Sequence, residues 1–397
     1  MRKITAKKIF DGNGNIWENT MLTLDQDGTI LSIDQMSETD SDVKYIDGFI
    51  CPGFVNTHCH LELSHMKGKV DTGTGLIPFI KNVVTKRDAD PEEIQEAIRQ
   101  ADAEMYENGI VAVGDISNKN DTQQVKNQSQ IAYYTFVEMF DFMQESLAES
   151  TFDQYFEVYK HFDERGNNKK SIVPHAPYSV SDSLYKRIHK HNTGQKTISI
   201  HNEETPDEIS LFQDKSGGFP GFFGGFGFPM EDFTPTGKMP LFHAIQQLDP
   251  VHRTLFVHNT LTTTEGIIAA HHWSDKVYWA TCANANLYIE NRLPDYRLFL
   301  DQQAKMTIGT DSLTSNWQLS VWEEIKTIHK YASYVPFPEL IVWATKNGAE
   351  ALGYENIFGT IEVGKKPGLV ALENITESDG RYYLENATAE RVNLFRV

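Results

Sequence analysis

The chain has 397 residues, 40% apolar and 23% charged, which excludes a fibre, a disulfide-held miniprotein and a mostly disordered chain. Lys and Arg number 36 against 55 Asp and Glu; a net charge of −19 repels a phosphate backbone and disfavours nucleic acid or an anionic membrane as partner. Cys51, Cys59 and Cys282 form no CxxC pair, the opening MRKITAKKIF carries no secretory apolar run, and no stretch has the roughly 18 apolar residues of a membrane helix, so a soluble cytoplasmic protein is expected.

The first 50 residues read as short strands: Met21 to Leu24, a hairpin turn at Asp27-Gly28, Ile30 to Ile33, then Val43 to Ile46, a turn at Asp47-Gly48, and Phe49-Ile50. Pro91 to Asn108 reads as a helix, with Pro91 in its first turn and Ile94, Ala97, Ile98, Ala101 and Met105 at helical spacing. A strand follows at Ile110 to Val113. Gly217 to Met230, GGFPGFFGGFGFPM, is too rich in Gly and Pro for a helix, and reads as a surface loop or as an aromatic lid on glycine hinges. Pro240 opens a further helix with Leu241, Ala244, Ile245 and Leu248, and Leu255 to Val257 is the next strand. Gly359 to Val363 and Leu369 to Leu372 are strand-like again around a turn at Gly364.

Alternating strands and helices over the middle of the chain fit a (β/α)8 TIM barrel, with a doubly wound open sheet as the alternative; there is no GxGxxG and no GxxxxGK[ST]. The expected division is a barrel over residues 53–354 and a small β-sandwich built jointly from 1–52 and 355–397; the alternative is that each end merely decorates the barrel.

The strongest chemical signal is the strand Phe54-Val55-Asn56-Thr57 running into His58-Cys59-His60. Residues two apart on a strand share a face, so both imidazoles can point at one metal. His175 follows SIVP, His201 ends TISIH, His258 ends TLFVH and Asp311 ends MTIGTD. Catalytic groups at successive strand ends are what a barrel active site requires. His58, His60, His201 and Asp311 then make a nitrogen and oxygen donor set for one divalent ion, zinc by expectation with iron(II) as competitor. Glu204, three residues after His201, can move a proton between water and a leaving nitrogen; the alternative is a carboxylate serving only a helix N-terminus. Glu203 is expected to point away, toward the barrel wall or solvent.

These residues carry a resemblance. Pro52 to His60 is similar to the PGxxNxHxH opening of the amidohydrolase superfamily, in its chlorohydrolase and aromatic-heterocycle deaminase branch, with Cys59 where Thr is usual. His175-Ala176-Pro177-Tyr178-Ser179, His201 with Glu204, and Gly309-Thr310-Asp311-Ser312 with Ser315-Asn316 match further family segments. His60-Leu61-Glu62-Leu63-Ser64 resembles enzymes that deaminate 6-amino-6-deoxyfutalosine, an adenine-bearing intermediate. The resemblance implies a metal-dependent hydrolytic deaminase that releases ammonia from an amino-substituted heterocycle. Glu204, His258 and Asp311 are then catalytic, with His258 touching the attacking water or the substrate. Many two-metal relatives use a modified lysine, and the strand ending Phe136-Val137-Glu138 has none, so a single ion is expected. The chain departs from the family pattern at Cys282-Ala283-Asn284-Ala285-Asn286, where a proline is usual, and at Pro367-Gly368.

For substrate contacts the candidates are Glu62 and Ser64 for sugar hydroxyls, Glu138, His175 for a ring edge or ribose oxygen, and Trp317 for stacking. Alternative functions are a chlorohydrolase or amidohydrolase acting on another C–Cl or C–N bond, and a non-catalytic metal-binding interaction protein. A homodimer is compatible with the sequence, which has no interface pattern.

Overall fold

A computed structural model describes residues 1–37 and 39–393; the part of the expected second domain at 394–397 lies outside the described residues. Five strands precede the barrel: β1 (Arg2–Phe10), β2 (Ile16–Trp17), β3 (Thr20–Leu24), β4 (Ile30–Gln35) and β5 (Val43–Pro52). Eight parallel strands follow: β6 (Phe54–Cys59), β7 (Ile110–Ser117), β8 (Ala132–Met139), β9 (Lys169–Pro174), β10 (Thr197–Asn202), β11 (Arg253–His258), β12 (Val277–Thr281) and β13 (Met306–Ile308). The last four strands among the described residues are β14 (Leu369–Glu373), β15 (Thr376–Ser378), β16 (Arg381–Tyr383) and β17 (Thr388–Arg391).

The eight parallel strands form a TIM barrel as two half-sheets, β6-β7-β8-β9 and β10-β11-β12-β13. At one seam the His201 amide donates to the His175 carbonyl at 2.9 Å. At the other, Cys59 and Asp311 form a parallel bridge, and the Thr57 and Thr307 hydroxyls meet at 2.8 Å. Helices cover the outside for ordinary reasons. The Pro91–Glu107 helix has Asp90 accepting from the Glu92 amide at 2.8 Å, and Ile98, Ala101 and Met105 form its buried stripe.

The two strand-rich ends share one sheet, ordered β17-β14-β5-β1-β3-β4 with β2 on β1, and the β15–β16 hairpin carries Tyr382 against Phe10 and Phe49. Side-chain alternation explains how this sheet serves two cores. Ile50, Leu369 and Ala371 pack inside the small domain, whereas Phe49, Cys51, Val370 and Leu372 face the barrel core with Trp322 and Phe337.

Three local expectations need correction. β5 runs unbroken through Asp47-Gly48, because a bulge in its pairing with β1 absorbs what reads as a turn. Residues 359–363 form no strand; they are tied to the sheet by single bonds such as the Ile361 amide on the Asp11 carbonyl at 2.8 Å. The Gly/Phe segment contains a helix, Phe219–Gly225, with Pro220 in its first turn and Phe219 and Phe223 buried. Packing of the rings outweighs the poor helix propensity of glycine there.

Gly48 is fixed by space. A Cβ there would stand 2.4 Å from the Leu372 carbonyl oxygen, which β5 cannot avoid without leaving β14. Gly48→Ala should therefore destabilise the protein by about 1–3 kcal/mol, read as a lowered denaturation midpoint. An unchanged midpoint would contradict this packing.

Candidate active site

His58 lies in β6 and His60 directly follows its last residue, and their Nε2 atoms lie 3.2 Å apart. His201 ends β10 with its ring centroid 4.9 Å from that of His58 and 5.6 Å from that of His60. Asp311 follows β13 in a left-handed conformation (φ +57°), its Oδ1 3.4 Å from His60 Nε2 and 3.8 Å from His58 Nε2. Gly309 lets this strand end approach β6, since a Cβ would stand 2.8 Å from that of His58 and 2.9 Å from Cys282 Sγ. The Thr310 and Asp311 amides then both donate to the His58 carbonyl at 3.0 Å, and Ser315 Oγ donates to Asp311 Oδ2 at 2.6 Å.

The donor set fits a divalent cation. Burial, then neighbouring histidine charge, pushes His58 and His201 well below the ordinary imidazole range, so both are neutral, as ligands must be. His201 Nδ1 lies 2.9 Å from the His175 carbonyl, which fixes the proton there and leaves Nε2 with its lone pair. The ligand atoms of His58, His60 and His201 lie within 4.8 Å of one another.

Glu204 and His258 stand beside this set, with Glu204 Oε2 3.7 Å from His258 Nε2. Burial, followed by the charges of Asp311 and Glu290, pushes the Glu204 carboxyl well above its usual range. His258 is left-handed (φ +73°), and its Nδ1 is held at 2.8 Å by Asn286 Oδ1. Glu203 turns to the barrel wall, where its Oε1 accepts from the Leu241 amide at 3.2 Å; it is buried rather than solvated.

The substrate-side candidates separate. Glu138 and His175 are brought to the cluster. Glu138 Oε1 is 3.4 Å from His201 Nδ1, burial pushes its carboxyl up to about 7, and Glu138, His175 and His201 offer a second group of convergent ligand atoms. His175 Nδ1 meets Ser179 Oγ at 2.7 Å. Glu62 is engaged elsewhere. One oxygen pairs with Arg87 at 3.1 Å and the other accepts the Asn118 and Lys119 amides at 2.9 and 3.0 Å, so it ties the loops after β6 and β7 together. Ser64 Oγ donates to the Leu61 carbonyl at 2.7 Å. Trp317 is half exposed at the rim, 5.4 Å from the Tyr288 ring.

Several supporting residues have only a weak sequence signal. Asp115 accepts from the Leu61 amide at 2.7 Å, just after His60, and pairs with buried Lys126 at 2.6 Å. Its one clue is a polar residue closing an apolar strand. Asn286, inside the departure at 282–286, holds His258. Glu324 binds Asn316 Nδ2 at 2.8 Å and the Asn284 amide at 2.9 Å, and burial pushes its carboxyl up to about 8.

Above the histidines lies a separate apolar cluster drawn from the loops after β6, β8, β9, β10 and β12. In it Tyr178 stacks on Phe219 at 4.3 Å and Phe142 on Phe228 at 4.2 Å. A concavity of about 1510 Å³ lies elsewhere, between the terminal sheet and the barrel near Glu104, Trp322 and Arg391, and shares no residue with the histidine cluster. No helix among the described residues is long and apolar enough to cross a membrane.

Among curated proteins, the chain is 29% identical over 332 residues to an aminodeoxyfutalosine deaminase of Nitratiruptor sp., covering 80% of this chain and 77% of the relative. It is 26% identical over 325 residues to an adenosine deaminase of Helicobacter pylori, covering 81% and 78%. Among solved structures, the Helicobacter pylori aminofutalosine deaminase in complex with methylthio-coformycin superposes with a TM-score of 0.79 at 22% identity, over 96% of this chain and 94% of that one. A zinc-bound adenosine deaminase from Xanthomonas campestris gives 0.73 at 21% identity over 94% and 84%; at these identities the structural likenesses bear on the fold. Residues 49–390 match the amidohydrolase family. The chain belongs to that metal-dependent family and is a hydrolase acting on carbon–nitrogen bonds.

Proposed function

We propose that the chain is a metal-dependent hydrolytic deaminase of an adenine-type nucleoside, such as 6-amino-6-deoxyfutalosine, with ammonia as product. The observation that carries this reading is the buried Glu204 carboxyl, 3.7 Å from His258, beside four groups suited to one cation. The names of the curated relatives, adenosine and aminodeoxyfutalosine deaminases, support the adenine ring.

His58, His60, His201 and Asp311 would hold one divalent ion, zinc or in competition iron(II). When bound, such an ion supplies a Lewis acid that makes water nucleophilic near neutral pH. The chain's own groups do the rest. Glu204, whose carboxyl burial pushes above its usual range, donates a proton to a ring nitrogen and makes the adjacent amine-bearing carbon electrophilic. Asp311 and His258 orient the attacking water and accept its proton. Water adds to that carbon, Glu204, now a carboxylate, takes the remaining proton of the new hydroxyl and passes it to the amine, the C–N bond breaks, and the proton held by Asp311 or His258 returns to Glu204. Water is consumed, ammonia leaves, and the ring keeps the oxygen. His175 reads a ring edge, Glu138 faces the sugar, and Trp317 at the rim stacks outside the buried chemistry.

Three outcomes test this. Glu204→Gln should keep its metal and lose roughly 10²–10⁴ in the rate of ammonia release; a near-normal rate would discard the proton path. His201→Ala should weaken metal binding itself, seen by elemental analysis after dialysis. Protein purified without added metal should carry one tightly held equivalent per chain and lose activity to a chelator. Two equivalents would contradict the single site, and chloride rather than ammonia as product would favour the chlorohydrolase reading.

A further inference from the structure

The sequence Thr205-Pro206-Asp207-Glu208 opens the Pro206–Asp214 helix in the pattern of a capping box. In that motif the threonine hydroxyl bonds the amide of the third helical residue, and the glutamate returns to the threonine's own amide. The structure departs from it. Thr205 makes no side-chain cap bond, and Glu208 Oε2 accepts instead from the amide of Glu204 at 3.0 Å, one residue further back.

Two further observations bear on what this bond does. Glu208 is fully buried, a costly place for a carboxyl whose task a solvent-exposed side chain could perform at the helix end. Glu203, just before the shuttle, has φ +49°, a conformation a glutamate adopts only when its surroundings hold it there. Those surroundings are visible. The Leu261 amide donates to the Glu203 carbonyl at 3.0 Å, and the Thr260 hydroxyl lies 2.6 Å from the Glu204 carbonyl. Both come from the turn that follows His258. The carbonyl side of the strained turn is thus tied to the His258 loop, and the amide side is tied to Glu208.

We propose that Glu208 is a positioning residue that acts through Glu204, gripping its backbone amide so that the shuttle carboxyl stays turned toward His258. This rests on the proton-transfer reading of Glu204 given above. Glu208 touches neither substrate nor metal ligand in this account. Its removal should slow the chemical step while leaving metal content and KM near wild type. The volume-matched Glu208→Met lacks the acceptor, and Glu208→Gln retains one.

The experiment is a double-mutant cycle in single turnover, with 6-amino-6-deoxyfutalosine and adenosine as probes, together with a crystal structure of the Glu208→Met enzyme. The expected result is a loss of roughly 10–100-fold in kcat for Glu208→Met, the scale of a reacting group displaced by about an ångström. KM should stay within a few-fold, and Glu208→Gln should restore most of the rate. In the Glu204→Gln background Glu208→Met should cost nothing further, because a residue acting only through Glu204 has nothing left to position. The crystal structure should show the Glu204 carboxyl turned away from His258 with His201 in place. A full loss that persists in the Glu204→Gln background, an unmoved Glu204, or a wild-type rate in Glu208→Met would overturn the proposal. So would failure of both Glu208→Met and Glu208→Ala to fold while Glu208→Gln is normal, which would mark an ordinary structural cap. If Glu204→Gln alone keeps the wild-type rate, the proton path has failed instead, and the two failures are told apart.

Discussion

The site depends on how the last barrel strand is laid against the first. His58 and Asp311 are far apart in the chain, yet two consecutive amides at 310 and 311 donate to the His58 carbonyl, and Cys59 and Asp311 form a parallel bridge. Gly309 permits the approach because a side chain there would strike the His58 Cβ and the Cys282 sulfur. Closing the barrel and assembling the donor set are therefore one event. A shift of β13 along β6 would remove the carboxylate from the imidazoles while leaving most of the apolar core intact.

At the ends of the barrel strands the backbone is held in conformations that non-glycine residues seldom adopt. Glu203, His258, Asn259 and Asp311 all have positive φ. Each is restrained by groups that are themselves buried. Asn259 Nδ2 donates to the Phe256 and Ala280 carbonyls, Asn286 holds His258, and Ser315 holds Asp311. Strain concentrated at strand ends is where a barrel keeps its chemistry, and the surrounding hydrogen bonds make it tolerable. Low exposure then shifts the titration of these groups. Burial pushes the His58 and His201 imidazoles down and the Glu204 carboxyl up, so one physical cause acts in opposite directions on the two kinds of group.

Much of this was legible in the chain, for a physical reason. A parallel strand buried on both faces is a short apolar run, and a polar residue closing it faces the barrel mouth; that rule alone picks out His58, His60, His201, His258 and Asp311. The Asp27-Gly28 hairpin and the Pro91 helix were legible because turn and cap chemistry is local. What pairing decides was not. The Asp47-Gly48 turn became a bulge once β1 was beside it, and the glycine-rich helix at 219–225 forms because its rings find Tyr178 and Phe142. Glu62 looked available next to the metal strand, but Arg87 and two amides from the neighbouring loop occupy it. Asn286 and Glu208 act on backbone or on other side chains across the fold, and such roles leave no periodic mark in a sequence.

The central claim is that four groups converge on one ion, apart from the second cluster of Glu138 and His175. Anomalous diffraction at the zinc edge from crystals of the zinc-loaded protein tests it most directly. The account predicts a single peak bonded to His58, His60, His201 and Asp311. A peak between Glu138, His175 and His201, or two peaks of equal height, would contradict it.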